Sequence, residues 1–129
     1  MRKLLETNVV DCLAYRILVL VGEIDLSVGD ELRTRIFDLL PGGGVPLLVD
    51  MTGVRFCDST GLNVAVDAKR RADACGCPLV FFGLGERVQN LFQVTGLEQL
   101  ITIYPTLADA VRAVTDPITA GQSIQNDGD

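Results

Sequence analysis

The stretch that decides the fold is VDMTGVRFCDSTGLNVAV, residues 49–66. It begins with apolar residues typical of a buried strand and ends with an apolar spacing typical of a helix. Between the two lies CDSTG, residues 57–61, which places an acid, two hydroxyls and a glycine where the strand passes into the helix. One acid or hydroxyl is enough to cap a helix, so the additional polar groups indicate a second task for this turn.

Strand and helix segments alternate along the rest of the chain. The apolar and β-branched runs predict strands at residues 4–12, 13–25, 45–51, 78–84 and 100–105. Helical spacing predicts helices at residues 27–40, 59–75, 86–97 and 106–115. We expect Ser27 to cap the first helix. The inward stripes are expected at Leu32, Ile36, Leu39 and Leu40 in the first helix, and at Leu62, Ala65, Val66, Ala68, Ala72 and Cys75 in the second.

This alternation, with nearly continuous apolar strands, predicts an α/β domain in which helices cover a sheet with parallel pairings. Functional sites in such sheets gather outside the carboxyl ends of the strands. Two polar turns stand at such positions, CDSTG at residues 57–61 and GEIDLS at residues 22–27. We therefore expect both turns to lie at the same edge of the sheet.

Composition excludes several classes of function. The 129 residues carry a net charge of −6, with a pI of about 4.5. Direct nucleic-acid binding and attraction to an anionic membrane surface both need a basic face, so neither is expected. Neither a signal peptide nor an apolar run of about 18 residues is present, and a cytoplasmic protein without membrane insertion is therefore predicted.

The residues of common catalytic and metal sites are also missing. The chain has no histidine, no phosphate-binding glycine loop and no second close cysteine pair beside Cys75 and Cys77. A Ser-His-Asp or Cys-His arrangement is therefore impossible, and a zinc site has little support. We expect a protein that is not an enzyme, with no cofactor, no metal site and reduced cysteines.

Three pieces of sequence, taken together, carry a family resemblance. They are GEID at residues 22–25, DSTGL at residues 58–62 and LFQVTGL at residues 91–97. In this order and spacing the chain resembles the STAS domain, and in particular the bacterial anti-sigma factor antagonists. The resemblance covers residues 4–114 and implies a STAS fold, a mixed sheet of about five strands with about four helices packed against it. We assign residues 1–115 to this domain and residues 116–129 to a flexible C-terminal tail that the fold does not need.

The resemblance implies a phosphorylation switch. In this family the hydroxyl residue directly after the aspartate accepts a phosphoryl group from ATP, and here that residue is Ser59. The kinase is usually the anti-sigma factor itself, the unphosphorylated antagonist binds it and releases the sigma factor, and a phosphatase of the PP2C type resets the switch. The expected partner-binding residues around Ser59 are Glu23, Asp25, Asp58, Thr60, Gly61 and Leu62.

Simpler structural interpretations stay open for several of these residues. Ser59 alone could cap the helix that it begins, Asp25 could cap the helix that follows LSVGD at residues 26–30, and Asp58 could form a local turn. Thr60 is expected to hydrogen-bond or pack locally, and Gly61 to leave space for a partner. The basic run at residues 69–71 is expected to be a solvated helix face, and residues 91–97 to be core and helix stop.

Two other classes of function compete with the switch. One is a STAS subunit of a transporter or of a stressosome-like assembly, although no membrane region accompanies the domain in this sequence. The other is a module that binds a small molecule or nucleotide, against which the missing phosphate loop and the small size both count. The serine preceded by aspartate in DSTG favours the kinase-substrate hypothesis.

Overall fold

The structure of the chain is a computed structural model that describes residues 4–40 and 44–115. The strands in chain order are β1 (Leu5–Asp11), β2 (Arg16–Ile24), β3 (Leu47–Cys57), β4 (Leu79–Phe82) and β5 (Thr102–Tyr104). The helices are α1 (Gly29–Leu39), α2 (Ser59–Cys75), α3 (Glu86–Val94) and α4 (Leu107–Thr115), with a short 3-10 turn at Leu97–Gln99. The predicted tail at residues 116–129 lies outside the described residues.

The strands form one sheet in the order β1-β2-β3-β4-β5. The first pair is antiparallel because β1 and β2 are joined by a short turn, and every later pair is parallel because a helix makes each connection. The predicted mixed sheet of five strands with four helices is therefore confirmed.

The helices lie on both faces of the sheet. Helices α1, α2 and α3 share the larger apolar core with one face of the strands, where Leu18, Val49 and Phe92 are almost fully buried. Helix α4 covers part of the other face, where its Ala110 packs among Leu48 and its neighbours. Strands covered on both faces must be apolar on both, which explains the unbroken run in β3.

Three local predictions are wrong. Strand β3 continues to Cys57 instead of ending near residue 51, because register shifts against β2 let the pairing resume past Gly53. Ser27 does not cap α1, whose N-cap position is Val28 without a side-chain hydrogen bond. Cys75 is exposed, because α2 ends there with a turn at Gly76 (φ 69°), and the buried cysteine is Cys77, whose backbone N–H donates to the carbonyl oxygen of Ala72.

The remaining inward positions agree with the expected stripes. In α1 the fully buried side chains are Leu32, Ile36 and the C-cap Leu40. In α2 the buried face also includes Val64, which the predicted stripe omitted. None of the helices within residues 4–40 and 44–115 combines the length and the apolar character needed to cross a membrane.

Candidate functional site

The two polar turns lie side by side at the carboxyl edge of the sheet. Ile24, the last residue of β2, pairs with Cys57, the last residue of β3. The backbone N–H of Asp58 then donates to the carbonyl oxygen of Ile24 at 3.2 Å. This hydrogen bond extends the parallel pairing by one step, so the turns that follow both strands are held together as expected.

Asp58 caps helix α2. Its backbone is extended, and its Oδ1 accepts a hydrogen bond from the backbone N–H of Thr60 at 2.8 Å. The carboxylate satisfies one of the N–H groups that have no partner inside the helix, and its negative charge faces the positive end of the helix dipole. The predicted turn-forming role of Asp58 is therefore confirmed.

Ser59 is the first residue of α2 and is exposed. Its hydroxyl makes no hydrogen bond to any other described residue. Because Asp58 already caps the helix, the alternative that Ser59 serves as the cap is wrong. The exposed hydroxyl has no structural task in the described part of the chain.

Asp25 organises the neighbouring turn and does not cap a helix. Its Oδ1 accepts from the backbone N–H of Ser27 at 2.9 Å and from the Ser27 hydroxyl at 2.6 Å. Helix α1 begins only at Gly29, two residues beyond this small ring. Asp25 is half-buried, so its carboxylate also faces the solvent beside the Ser59 turn.

Glu23 completes the acidic group of this edge. Its Oε2 lies 3.9 Å from the guanidinium of Arg55, at the limit of an ion pair, and both side chains are well exposed. An ion pair in this setting contributes little to stability. Glu23, Asp25 and Asp58 therefore place three carboxylates at or just beyond the ends of β2 and β3, with the guanidinium of Arg55 beside Glu23.

Thr60 packs on the first residue of α1. A Cβ built on Gly29 would lie 2.6 Å from Cγ2 of Thr60, so only a glycine allows the two helices to approach this closely. Thr60 itself is half-buried. This contact agrees with the expected packing role of Thr60 and ties the start of α1 to the Ser59 turn.

Gly61 gives room to this chain's own Cys57. A Cβ at Gly61 would lie 2.1 Å from the Cys57 Sγ and 3.4 Å from Cγ2 of Ile24. The Cys57 thiol therefore fills the space beside Gly61 that was expected to be open to a partner. Contact of a partner with the region around Gly61 stays a prediction. Leu62, another predicted contact residue, is half-buried against the main core.

Cys57 is a structural thiol beneath the Ser59 turn, a role that sequence reasoning missed. Burial and, to a lesser extent, the neighbouring Asp58 carboxylate raise the pKa of Cys57 to about 11. The thiol is therefore neutral at physiological pH and a poor nucleophile. The signal in the sequence was the small residue Cys57 four positions before Gly61. This spacing brings the last residue of a strand against the first turn of the helix that follows it.

Two exposed apolar side chains beside the acidic group were also missed. Leu26 is 85% exposed in the turn after Asp25, and Phe56 is 48% exposed near the end of β3. The two side chains place apolar surface at the same edge of the sheet as the polar turns. The sequence signal was an apolar residue between Asp25 and Ser27.

Two further residues have roles in the local backbone structure. Gly96 has a left-handed backbone (φ 77°) and ends the α3 region, as expected for a helix stop. Asp50 accepts a hydrogen bond from the backbone N–H of Thr52. Within residues 4–40 and 44–115, no three side chains of the metal-binding types are grouped closely enough to hold an ion.

Comparisons with known proteins agree on one family. The model of the STAS domain matches residues 6–110. An anti-sigma-B factor antagonist of Listeria monocytogenes is 37% identical over 82 residues, which are 64% of this chain and 72% of the relative. The crystal structure of an anti-sigma factor antagonist from Mycobacterium paratuberculosis superposes with a TM-score of 0.80 at 26% identity, covering 87% of this chain and 95% of that one.

The fold is also shared with SpoIIAA of Bacillus. SpoIIAA in its phosphorylated form superposes with a TM-score of 0.63 at 19% identity, covering 84% of this chain and 99% of the other. At this identity the likeness concerns the fold alone. Together, the match to residues 6–110 and the similarity to the relative from Listeria show that the chain belongs to the STAS domain family, among the anti-sigma factor antagonists.

Proposed function

We propose that the unmodified protein binds an anti-sigma factor that is also a serine kinase, and that phosphorylation of Ser59 ends this binding. Binding of the antagonist releases the sigma factor, and a phosphatase of the PP2C type restores the unmodified form. The observation that carries the proposal is the Ser59 hydroxyl, which is exposed and without a hydrogen bond among the described residues, while Asp58 caps the helix.

The transfer itself needs nothing catalytic from this chain. The kinase holds ATP, the Ser59 oxygen attacks the γ-phosphorus, and ADP leaves with the electrons of the broken bond. The hydroxyl proton passes to a base of the kinase. The neighbouring Asp58 carboxylate is engaged by the Thr60 N–H and acts as a fixed helix cap, so this chain is a substrate and a binding partner.

The phosphorylated domain keeps its fold in this proposal. A phosphoryl group at the first position of α2 stands at the positive end of the helix dipole, where negative charge is stabilising. It adds about −1.5 to −2 charges at pH 7. The change that the partner meets is therefore a local one, in the charge and bulk at Ser59.

The surface around Ser59 indicates the chemistry of the partner. Glu23, Asp25 and Asp58 supply negative charge, and the exposed Leu26 supplies an apolar contact at the same edge. A partner surface that matches this patch carries basic groups around an apolar one. Because the basic groups of the partner are already paired with these carboxylates, a phosphate buried at such a contact has no partner of its own. Leaving it unpaired costs about 2–5 kcal/mol, so affinity falls about thirtyfold or more.

A titration of the anti-sigma factor tests the proposal. The unmodified protein and Ser59→Ala are expected to bind, because the hydroxyl itself contributes only about 0.5–1.5 kcal/mol. Phosphoprotein is expected to lose binding, and Ser59→Asp to lose part of it, because aspartate carries about one negative charge and lacks the tetrahedral oxygens. Equal binding by the phosphoprotein contradicts the switch.

A second measurement separates a local from a global mechanism. Amide chemical shifts of the phosphoprotein should change near Ser59 and at the adjoining turn of Asp25 only. Changes spread over the sheet would show that phosphorylation acts by rearranging the domain. Capture of a transporter subunit or a scaffold in place of a kinase from the native host would reject the proposed partner and favour an assembly role.

A further inference from the structure

The outer surface between α1 and α2 carries a groove of different chemistry from the Ser59 surface. The groove is shallow and widely open to solvent, with a volume of about 440 Å³, and its lining residues are Arg33, Phe37, Asp67, Arg70, Arg71 and Ala74. Three of these six side chains are arginines, in a protein whose net charge is −6. The groove is therefore a local exception to the charge of the whole molecule.

One of the three arginines is neutralised within the domain. The Nε of Arg33 lies 2.9 Å from Oδ2 of Asp67, and its NH1 lies 2.9 Å from Oδ1 of Asp30. The pair with Asp67 joins α1 to α2, and the pair with Asp30 lies within α1. With two carboxylates against one guanidinium, no charge of Arg33 is left for a ligand. The positive charge of the groove comes from the other two arginines.

Arg70 and Arg71 have no acidic partner among the described residues, and both side chains are exposed. The guanidinium carbon of Arg71 lies 4.4 Å from the centre of the Phe37 ring. Stacking on this ring orients the guanidinium without using its hydrogen-bond donors, since the ring contacts its flat face. Arg71 is thus held in place with its donors free.

From this arrangement we propose that the groove between α1 and α2 docks an acidic segment of another protein. The partner's carboxylates pair with Arg70 and Arg71, for which the planar guanidinium offers two-point hydrogen bonding. A polynucleotide is disfavoured, because the net charge of −6 repels a long chain of phosphates while a short acidic segment meets only the groove.

The groove is separate from the phosphorylation surface. Arg70 follows Ser59 by eleven residues along α2, which corresponds to about 16 Å along the helix axis. This distance exceeds the screening length of about 8 Å at physiological ionic strength. The docking of an acidic segment is therefore independent of the state of Ser59, and the proposal does not rest on the proposed switch.

The test is a titration of the isotope-labelled protein with an acetylated hexaglutamate peptide, followed by amide chemical shifts. We expect shifts centred on Phe37, Arg70 and Arg71, and binding weakened several-fold between about 50 and 300 mM NaCl. Hexalysine of the same length should produce no shifts at these residues. The same titration of Ser59→Asp should give an affinity within about twofold of the unchanged protein.

The decisive variants have matched charge. Arg70→Glu combined with Arg71→Glu is expected to lower the affinity about tenfold or more. Arg35→Glu combined with Arg87→Glu changes the net charge equally, at exposed arginines outside the groove, and should lower it less than about threefold. All four side chains are exposed, so both variants should fold, and Arg70→Gln with Arg71→Gln repeats the test without charge reversal.

Four results would overturn the proposal. Equal weakening by the two double variants would show attraction by net charge alone. Shifts caused equally by inorganic phosphate would show a general anion effect, and stronger binding of a single-stranded oligonucleotide than of hexaglutamate would indicate a nucleic-acid partner instead. Retention of full affinity by Arg70→Glu with Arg71→Glu would place the peptide elsewhere.

Discussion

The turns after β2 and β3 both contain an aspartate followed closely by a serine, and they use these residues in opposite ways. In the turn after β2, Asp25 binds both the N–H and the hydroxyl of Ser27. In the turn after β3, Asp58 binds the N–H of Thr60 and leaves the Ser59 hydroxyl without a partner among the described residues. The comparison teaches that a serine beside an acid becomes a candidate acceptor only where the acid has another task.

The largest expected effect concerns which serine is modified. Ser59→Ala should abolish phosphorylation by the cognate kinase, whereas Ser27→Ala should leave it unchanged, because the Ser27 hydroxyl is held at 2.6 Å by Asp25. Phosphopeptide mass spectrometry after incubation with ATP measures both. Phosphorylation of Thr60 at the original level in Ser59→Ala would break the comparison, since a half-buried hydroxyl would then replace the exposed one.

The next effect concerns Cys57, whose thiol lies beneath the Ser59 turn. With a pKa of about 11, Cys57 has little thiolate at neutral pH and is partly buried, so iodoacetamide should alkylate the exposed Cys75 more than about tenfold faster near pH 8. Peptide mapping over time measures both rates. Equal rates would show that the Ser59 turn opens readily.

The raised pKa of Cys57 also gives the sign of a pH effect. The folded state favours the neutral thiol, so this contribution to stability is present below the ordinary pKa of 9.0 and is lost as the pH rises to about 11. Thermal unfolding of the unchanged protein and of Cys57→Ala across this range isolates the effect. A parallel pH dependence of both proteins would contradict it.

A smaller effect, on stability, tests the contact between Cys57 and Gly61. Gly61→Ala places a Cβ 2.1 Å from Sγ and should destabilise the domain by about 1–3 kcal/mol. Adding Cys57→Ala should restore part of this loss, because the remaining Cβ of residue 57 is 3.8 Å away. Denaturant unfolding measures the double-mutant cycle.

The control for this cycle is Gly85→Ala, where no atom lies within 4 Å of the added Cβ and the backbone (φ −68°) suits any residue. Because Gly85 is the N-cap of α3, where alanine is less favourable than glycine, the free energy of unfolding should fall by up to about 1 kcal/mol, and this loss should not change when Cys57→Ala is added. Additive effects of the Gly61 and Cys57 substitutions would show that the two residues are not coupled through the predicted clash.

The smallest expected effect compares the two aspartates directly. Asp58→Ala removes a helix cap and should lower the free energy of unfolding by about 1 kcal/mol. Asp58→Asn should retain most of the stabilisation, because asparagine is also a good N-cap residue. Asp25→Ala removes hydrogen bonds in an exposed turn and should cost about 0.5 kcal/mol. Chemical denaturation measures each change. A larger loss at Asp25 than at Asp58 would reverse the assigned roles.

Much of the fold was predictable from local pattern. The long apolar run of β3 and the helical spacing of α2 determine their own elements, because burial on both faces or along one stripe leaves few other solutions. The end of β3 was not predictable in the same way. Its last residues are polar or exposed, and they are strand only because β2 pairs with them after a register shift.

The candidate site, like the fold, was predictable from the sequence only in part. The sequence placed Ser59 and Asp58 at a strand-to-helix junction and placed Asp25 at another, since polar residues after apolar strands mark the carboxyl edge of a parallel sheet. It did not reveal the fit of Cys57 against Gly61 or of Thr60 against Gly29. Those contacts join residues of neighbouring elements, and a local pattern carries no information about their spacing.

By itself, the sequence determined the family, the order of elements and the presence of two acid-and-serine turns. Only the tertiary structure decided which serine hydroxyl stays free. In α2 the helix begins directly after Asp58, so a helix N–H is the donor within its reach. After Asp25 three more residues precede α1, and the carboxylate instead closes on Ser27. The same side-chain chemistry takes different partners because the backbone leaves the sheet differently at the two strand ends.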